Sequence, residues 1–151
     1  MNAGDYESAK STFEQLLELS PDYPWGHVNM GRVLLLEDRP AAALAHFEVA
    51  ESRPWRDFGY VLALDALGRQ VEADAAMAGL ERDFGHWGAF LPAAAYAWRG
   101  QGDQAFTWLE RSFERHEPGL MYMVRDPVLE RPHDDPRWAV FLERMGLAVK
   151  G

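Results

Sequence analysis

Five histidines, at 27, 46, 86, 116 and 133, are the first candidates for chemistry in this chain. None forms H-E-x-x-H or another close pair at metal-ligand spacing. The run His133-Asp134-Asp135 could hold a cation, but Asp135 precedes a proline and suits the simpler task of capping a helix. Carboxylates are abundant, yet they fall in surface patterns such as Glu110 and Glu114, one helical turn apart on one face. There is no cysteine, and so no disulfide, thiolate nucleophile or Cys-zinc site. G-x-S-x-G, a P-loop and G-x-G-x-x-G are also missing. An enzyme has no residue set to rest on, and no cofactor or metal is expected. What does recur is aromatic. W-x2-[VF] appears as Trp25 with Val28, Trp55 with Phe58 and Trp87 with Phe90, the tryptophans separated by 30 and 32 residues. A row of indoles offers large apolar area for gripping a peptide or an amphipathic helix. The same rings could instead fill space between neighbouring helices.

The bulk properties narrow the partners. The net charge is −9, which argues against nucleic acid or an anionic membrane surface, since both favour a positive face. No apolar run approaches the ~20 residues of a membrane span, and the opening MNAGDYESAK lacks the basic and apolar regions of a signal peptide. A cytoplasmic location fits these features.

The elements that must carry the tryptophans repeat. Gly4–Ala9, Asp38–Ala43, Gly68–Ala73 and Gly100–Ala105 each place a turn residue five positions before an alanine. A large apolar residue follows each alanine by four: Phe13, Phe47, Met77 and Leu109. Before the last three turns lie helical runs opening at Trp25, Trp55 and Trp87. The unit is helix, short turn, helix. Helices are expected near 5–19, 24–37, 40–53, 55–67, 70–84, 87–99 and 102–116. Pro24, Pro40 and Pro54 sit at helix starts, where proline is tolerated, with Asp22 and Asp38 as N-caps beside them. Pro92 should kink or shorten its helix. No strand pattern is visible.

This design resembles the tetratricopeptide repeat, with the pattern W-x2-L-G-x2-Y, then A-x3-F, then P. The second unit carries it as His27, Met30, Gly31, Leu34, Ala43, Phe47 and Pro54; the first has only Ala9, Phe13 and Pro21. Val61 and Ala93 stand at the close-approach glycine position of the third and fourth units. The resemblance implies an all-α helix-turn-helix solenoid with right-handed stacking. It divides into a half repeat (1–21), repeats at 22–53, 54–85 and 86–117, and a C-terminal cap at 118–151. It also implies a concave partner-binding groove lined by Trp25, Val28, Arg32, Trp55, Phe58, Leu62, Trp87 and Phe90, with Ala94 in register. The family's carboxylate clamp wants Lys and Asn at these positions, so an apolar protein or peptide ligand is favoured over a C-terminal carboxylate.

The end of the chain is read as a cap, because a stack of helix pairs leaves an apolar face open. Asp135 caps a helix opened by Pro136; Trp138, Phe141, Leu142 and Met145 form its stripe, and Gly146 stops it. Gly100–Leu147 is also similar to the C-terminal tails of repeat arrays in bacterial multidomain regulators. The shared features are Ala105 to Arg111, Pro118 to Leu120, Asp126-Pro127, Asp135 to Trp138 and Leu142 to Leu147. That similarity implies a sensory or scaffolding array, often attached to an effector domain.

At the other end, GDYESA reads as the turn and second helix of a unit whose first helix is absent. Tyr6, Ala9, Phe13 and Leu16 would lie against that missing helix. Either the natural protein continues upstream or the chain pairs with a second copy through this stripe, forming a homodimer. The leading expectation is a non-catalytic protein-binding module; self-association and a sensory domain for a small apolar ligand are the alternatives.

Overall fold

The computed structural model describes residues 3–127 and 134–147. His133 lies outside the described residues. Nine helices are present among them, with no strand: α1 (Ala3–Leu19), α2 (Pro24–Leu36), α3 (Pro40–Val49), α4 (Arg53–Ala66), α5 (Gln70–Phe84), α6 (Phe90–Trp98), α7 (Gly102–Glu114), α8 (Pro118–Met123) and α9 (Pro136–Arg144). The chain forms two compact units, Met1–Leu80 and Glu81–Gly151.

The short turns share one backbone device. Asp38, Gly68 and Gly100 all adopt positive φ, at 58°, 73° and 73°. In each turn the next amide reaches back past the helix end: Arg39 to the Leu34 carbonyl, Arg69 to Leu64 and Gln101 to Tyr96. This is a Schellman closure, which satisfies carbonyls that the helix end leaves unpaired. His116 after α7 and Gly146 after α9 repeat it. The alanine five residues after each turn residue is the first whose amide bonds back into the new helix, Ala43 to Arg39, Ala73 to Arg69 and Ala105 to Gln101. Asp38 is therefore the left-handed residue that ends α2, and not the N-cap expected of it. Arg39 occupies the N-cap of α3. Asp22 is likewise displaced, because Tyr23 takes the N-cap of α2 without a side-chain bond.

In the first unit α1 packs on α2, α2 on α3, α3 on α4 and α2 on α4. Phe47 of α3 is the wedge, fully buried between two helices that lack side chains where it presses. A Cβ added at Gly31 would lie 2.7 Å from its ring, and one at Gly59 would lie 2.3 Å away. Neither is a tolerable contact, so both α2 and α4 reach Phe47 only as glycine. The expected close-approach residue of the third unit, Val61, is buried in the core instead. Helix α3 stops at Val49, earlier than residue 53, because Ala50 turns extended (ψ 129°) and starts the connection to the proline-led α4.

In the second unit, α6 is short and built of buried alanines (Ala93, Ala94, Ala95, Ala97), whose small side chains let it lie close to α7. It begins at Phe90 and not near 87, since residues 85–89 form a turn. Pro92 is consequently the third residue of the helix, where its missing N–H has no intrahelical acceptor to lose. The buried Glu117 supplies the start of this helix. Its carboxylate accepts from the Ala89 amide (3.0 Å), the Phe90 amide (3.1 Å) and the Ser112 hydroxyl (2.7 Å).

Helix α9 is the C-terminal cap. Asp135 Oδ1 accepts from the Arg137 amide at 2.9 Å, with Pro136 at the first helical position. Trp138, Phe141 and Leu142 are buried, and Phe141 meets Phe113 of α7 at 6.0 Å between ring centres. Two arginines clamp α9 to α7. Arg137 binds Asp103 (2.9 Å) and lies over the Phe106 ring; Arg144 binds Glu110 (2.6 Å) and lies over Phe113.

Candidate partner-binding surface

The aromatic positions divide into two kinds. Trp25 is 42% exposed at the start of α2. It meets the half-buried Trp55 of α4 edge-on, ring centres 5.6 Å apart and planes at 66°. Trp55 in turn stands edge-on to Phe58 at 6.1 Å. This geometry is the favoured one for aromatic pairs. Leu19 at the end of α1 and Tyr23 at the N-cap of α2 are exposed beside it in sequence.

Val28, Phe58 and Leu62 do not line an open groove; each is at most 1% exposed and belongs to the core. The reason lies in helical geometry. A step of three residues rotates the side chain about 60° around the axis, which turns Val28 and Phe58 from the rim, where Trp25 and Trp55 stand, into the α2–α3–α4 packing. The expectation that Val28, Phe58 and Leu62 line the groove is corrected accordingly. Arg32 is half-buried, and burial pulls its guanidinium below the usual arginine range.

In the second unit Trp87 is 51% exposed, in the turn before α6 and not on a helix. It packs edge-on against the buried Phe84 at 5.6 Å. Phe90 is half-buried with its ring against Gly119, where a Cβ would fall 2.4 Å away, and Ala94 is buried. On α1, Tyr6, Ala9, Phe13 and Leu16 are all half-buried, while Leu17 is the residue that presses on Gly26 of α2.

Three features escaped sequence reasoning: the Gly59 approach to Phe47, the Ser112–Glu117 carboxylate beneath α6, and a contact between His27 and His46. Gly59 had a visible signal, as a glycine inside a helical run. The other two join residues whose proximity is made by the turn after α7 and by the pairing of α2 with α3. Among the described residues no helix is long and apolar enough to cross a membrane.

A family model described as tetratricopeptide repeat matches residues 1–53. No curated protein matches the chain, and no solved structure does. The matched stretch contains α1, α2 and α3, with Gly31, Ala43 and Phe47 packed as the repeat pattern requires. Residues 1–53 are thus similar to the tetratricopeptide repeat, and the described residues form helices and turns without a strand, in a packing consistent with a helical repeat.

Proposed function

We propose that this chain is a non-catalytic module that binds an apolar peptide or helix of a partner protein, with the Trp25–Trp55 pair as the main anchor. Tetratricopeptide repeats generally mediate protein–protein interaction. The observation that carries the reading is the half-exposed Trp25 braced edge-on by Trp55. A large indole held rigidly at a surface loses little conformational freedom on binding, which is the property of a binding hot spot. Trp87 and Phe90 of the second unit are proposed as further contacts for apolar side chains. The net charge of −9 favours a protein partner over nucleic acid. Selection of displayed peptides on the intact chain tests this. Selected peptides should be rich in aromatic and aliphatic residues and lose roughly tenfold or more in affinity for Trp25→Ala, about the cost of one such anchor. Equal affinity for Trp25→Ala and the parent chain would remove the anchor.

Self-association is favoured by a different observation. Tyr6, Phe13 and Leu16 remain half-buried on α1, whose principal packing is on α2. A second copy covering this stripe would make a two-fold dimer.

A further inference from the structure

His27 of α2 and His46 of α3 meet nitrogen to nitrogen, Nδ1 to Nδ1 at 3.0 Å. Their ring centres are 5.3 Å apart. The centre separation exceeds the nitrogen separation by about one ring width, so the two nitrogens point head to head. Imidazoles sharing a metal converge on a third point; this pair is instead arranged to share one hydrogen. The other nitrogen of His27, Nε2, stands 3.0 Å from the Pro21 carbonyl oxygen.

That carbonyl assigns the hydrogens. A carbonyl oxygen only accepts, so His27 Nε2 carries the N–H and donates. In a neutral imidazole the second nitrogen is then an acceptor, which makes His46 Nδ1 the donor of the central bond. One added proton is accommodated with a central bond kept, because one of the two rings stays neutral and supplies the lone pair. A second added proton leaves two N–H groups facing each other across 3.0 Å. No hydrogen bond survives between the rings, and two positive rings repel.

We infer that His27 and His46 form a proton-operated latch, which ties α2 to α3 while the pair carries at most one extra proton and releases them from each other at two, His27 keeping its Nε2 bond to the Pro21 carbonyl throughout. Three elements meet at the pair, and the segment running from Pro21 through Tyr23 presents Trp25. The inference does not depend on what binds there. The hollow beside His46 is lined by Lys10, Glu14 and Glu18 of α1, by Arg39 before α3, and by apolar Leu17, Met30, Leu34 and Ala42. Lys10 is already engaged by Glu37 at 3.3 Å, as is Arg39 at 3.7 Å. Asp22 follows Pro21 in the connection.

Burial first, and the neighbouring His27 second, hold His46 below the ordinary imidazole range. Its neutral form is therefore favoured by folding. The stabilisation is complete above the unfolded imidazole value of about 6.5 and is lost as pH falls below it toward the lower folded value.

Ring-nitrogen NMR of the full chain with labelled histidine is the direct test. At about pH 8, where free imidazole is neutral, His27 should carry its hydrogen on Nε2 and His46 on Nδ1. On acidification His46 should take up its proton at lower pH than free imidazole. A bare Nδ1 on His46 at the higher pH, or uptake at the free value, would overturn the latch. Thermal melts form the second arm, comparing the parent chain with His46→Gln, whose amide keeps a donor toward His27 but does not titrate. Between about pH 8 and pH 5, the parent should lose more of its melting temperature than the variant, because only the parent carries the His46 imidazole whose neutral form folding favours. Equal losses would also overturn it. Should His46→Gln fail to fold, the NMR of the parent chain decides alone.

Discussion

Individual residues in this chain are chosen largely for backbone and contact geometry. Asp38 shows this most directly. It sits at φ 58°, in the position where Gly68 and Gly100 serve the equivalent turns. A side chain there costs energy that glycine avoids, though aspartate tolerates the conformation better than most residues. Asp38→Gly should therefore stabilise the chain by ~0.5–1 kcal/mol, read as a raised midpoint in urea with an unchanged slope. A loss of stability would mean that the Asp38 side chain makes a contribution larger than its conformational cost. Gly31 and Gly59 are the opposite case, because their missing side chains are what lets Phe47 seat between α2 and α4.

At the scale of elements, helix ends are where the sequence takes most care. Pro24, Pro40, Pro54 and Pro136 all stand in first turns. Helix α6 has no such local start. Its leading donors are met by Glu117, 28 residues away from Ala89 in the chain. Arg115 stands 3.7 Å from the same carboxylate. Glu117→Gln keeps the shape but replaces an acceptor oxygen with an N–H donor, which must face the Ala89 or Phe90 amide or the Ser112 hydroxyl. Losing charge-assisted bonds in a buried site should cost ~2–3 kcal/mol. Chemical denaturation should show that loss, and amide exchange should accelerate first at Ala89 and Phe90. An unchanged midpoint would show that α6 starts without this carboxylate. The cap helix α9 combines a local N-cap with distant clamps. The Arg137 side chain, and then its amide, hold the Asp135 carboxyl down to about 2, so this cap stays ionised through the neutral range.

For the whole molecule, the open question of assembly rests on α1. Tyr6, Phe13 and Leu16 keep part of their surface in water, and an acidic chain at −9 resists close approach of copies at low salt. If the stripe pairs two chains, light scattering should show mass rising with concentration and with added salt, and Phe13→Glu should hold the chain monomeric. Constant monomer mass in the parent chain across that series would remove self-association and leave the aromatic pair at Trp25 as the surface to pursue.

The sequence alone determined the helical repeat, and for a physical reason. Turn residue, alanine and large apolar residue at fixed spacing are local requirements of a Schellman turn followed by a helix that must lie close to its partner, so they can be read without knowing the fold. The cap was legible the same way, since Asp135, Pro136 and the stripe of Trp138, Phe141 and Leu142 lie within eight residues. Shifted assignments mark the limit of that reading. Asp38 was placed on the wrong side of its turn, because Asp suits both an N-cap and a left-handed end. Residues 87–89 were given to a helix that starts at Phe90. Tertiary structure decided the rest. Which aromatic positions face water depended on rotation about helices whose neighbours the sequence does not state, and packing drew Val28, Phe58 and Leu62 inward while Trp25 and Trp87 stayed at the surface. The Glu117 carboxylate under α6 and the His27–His46 contact arise only when helices fold back on each other, since hydrogen bonds across 28 and 19 residues leave no periodic trace in the chain.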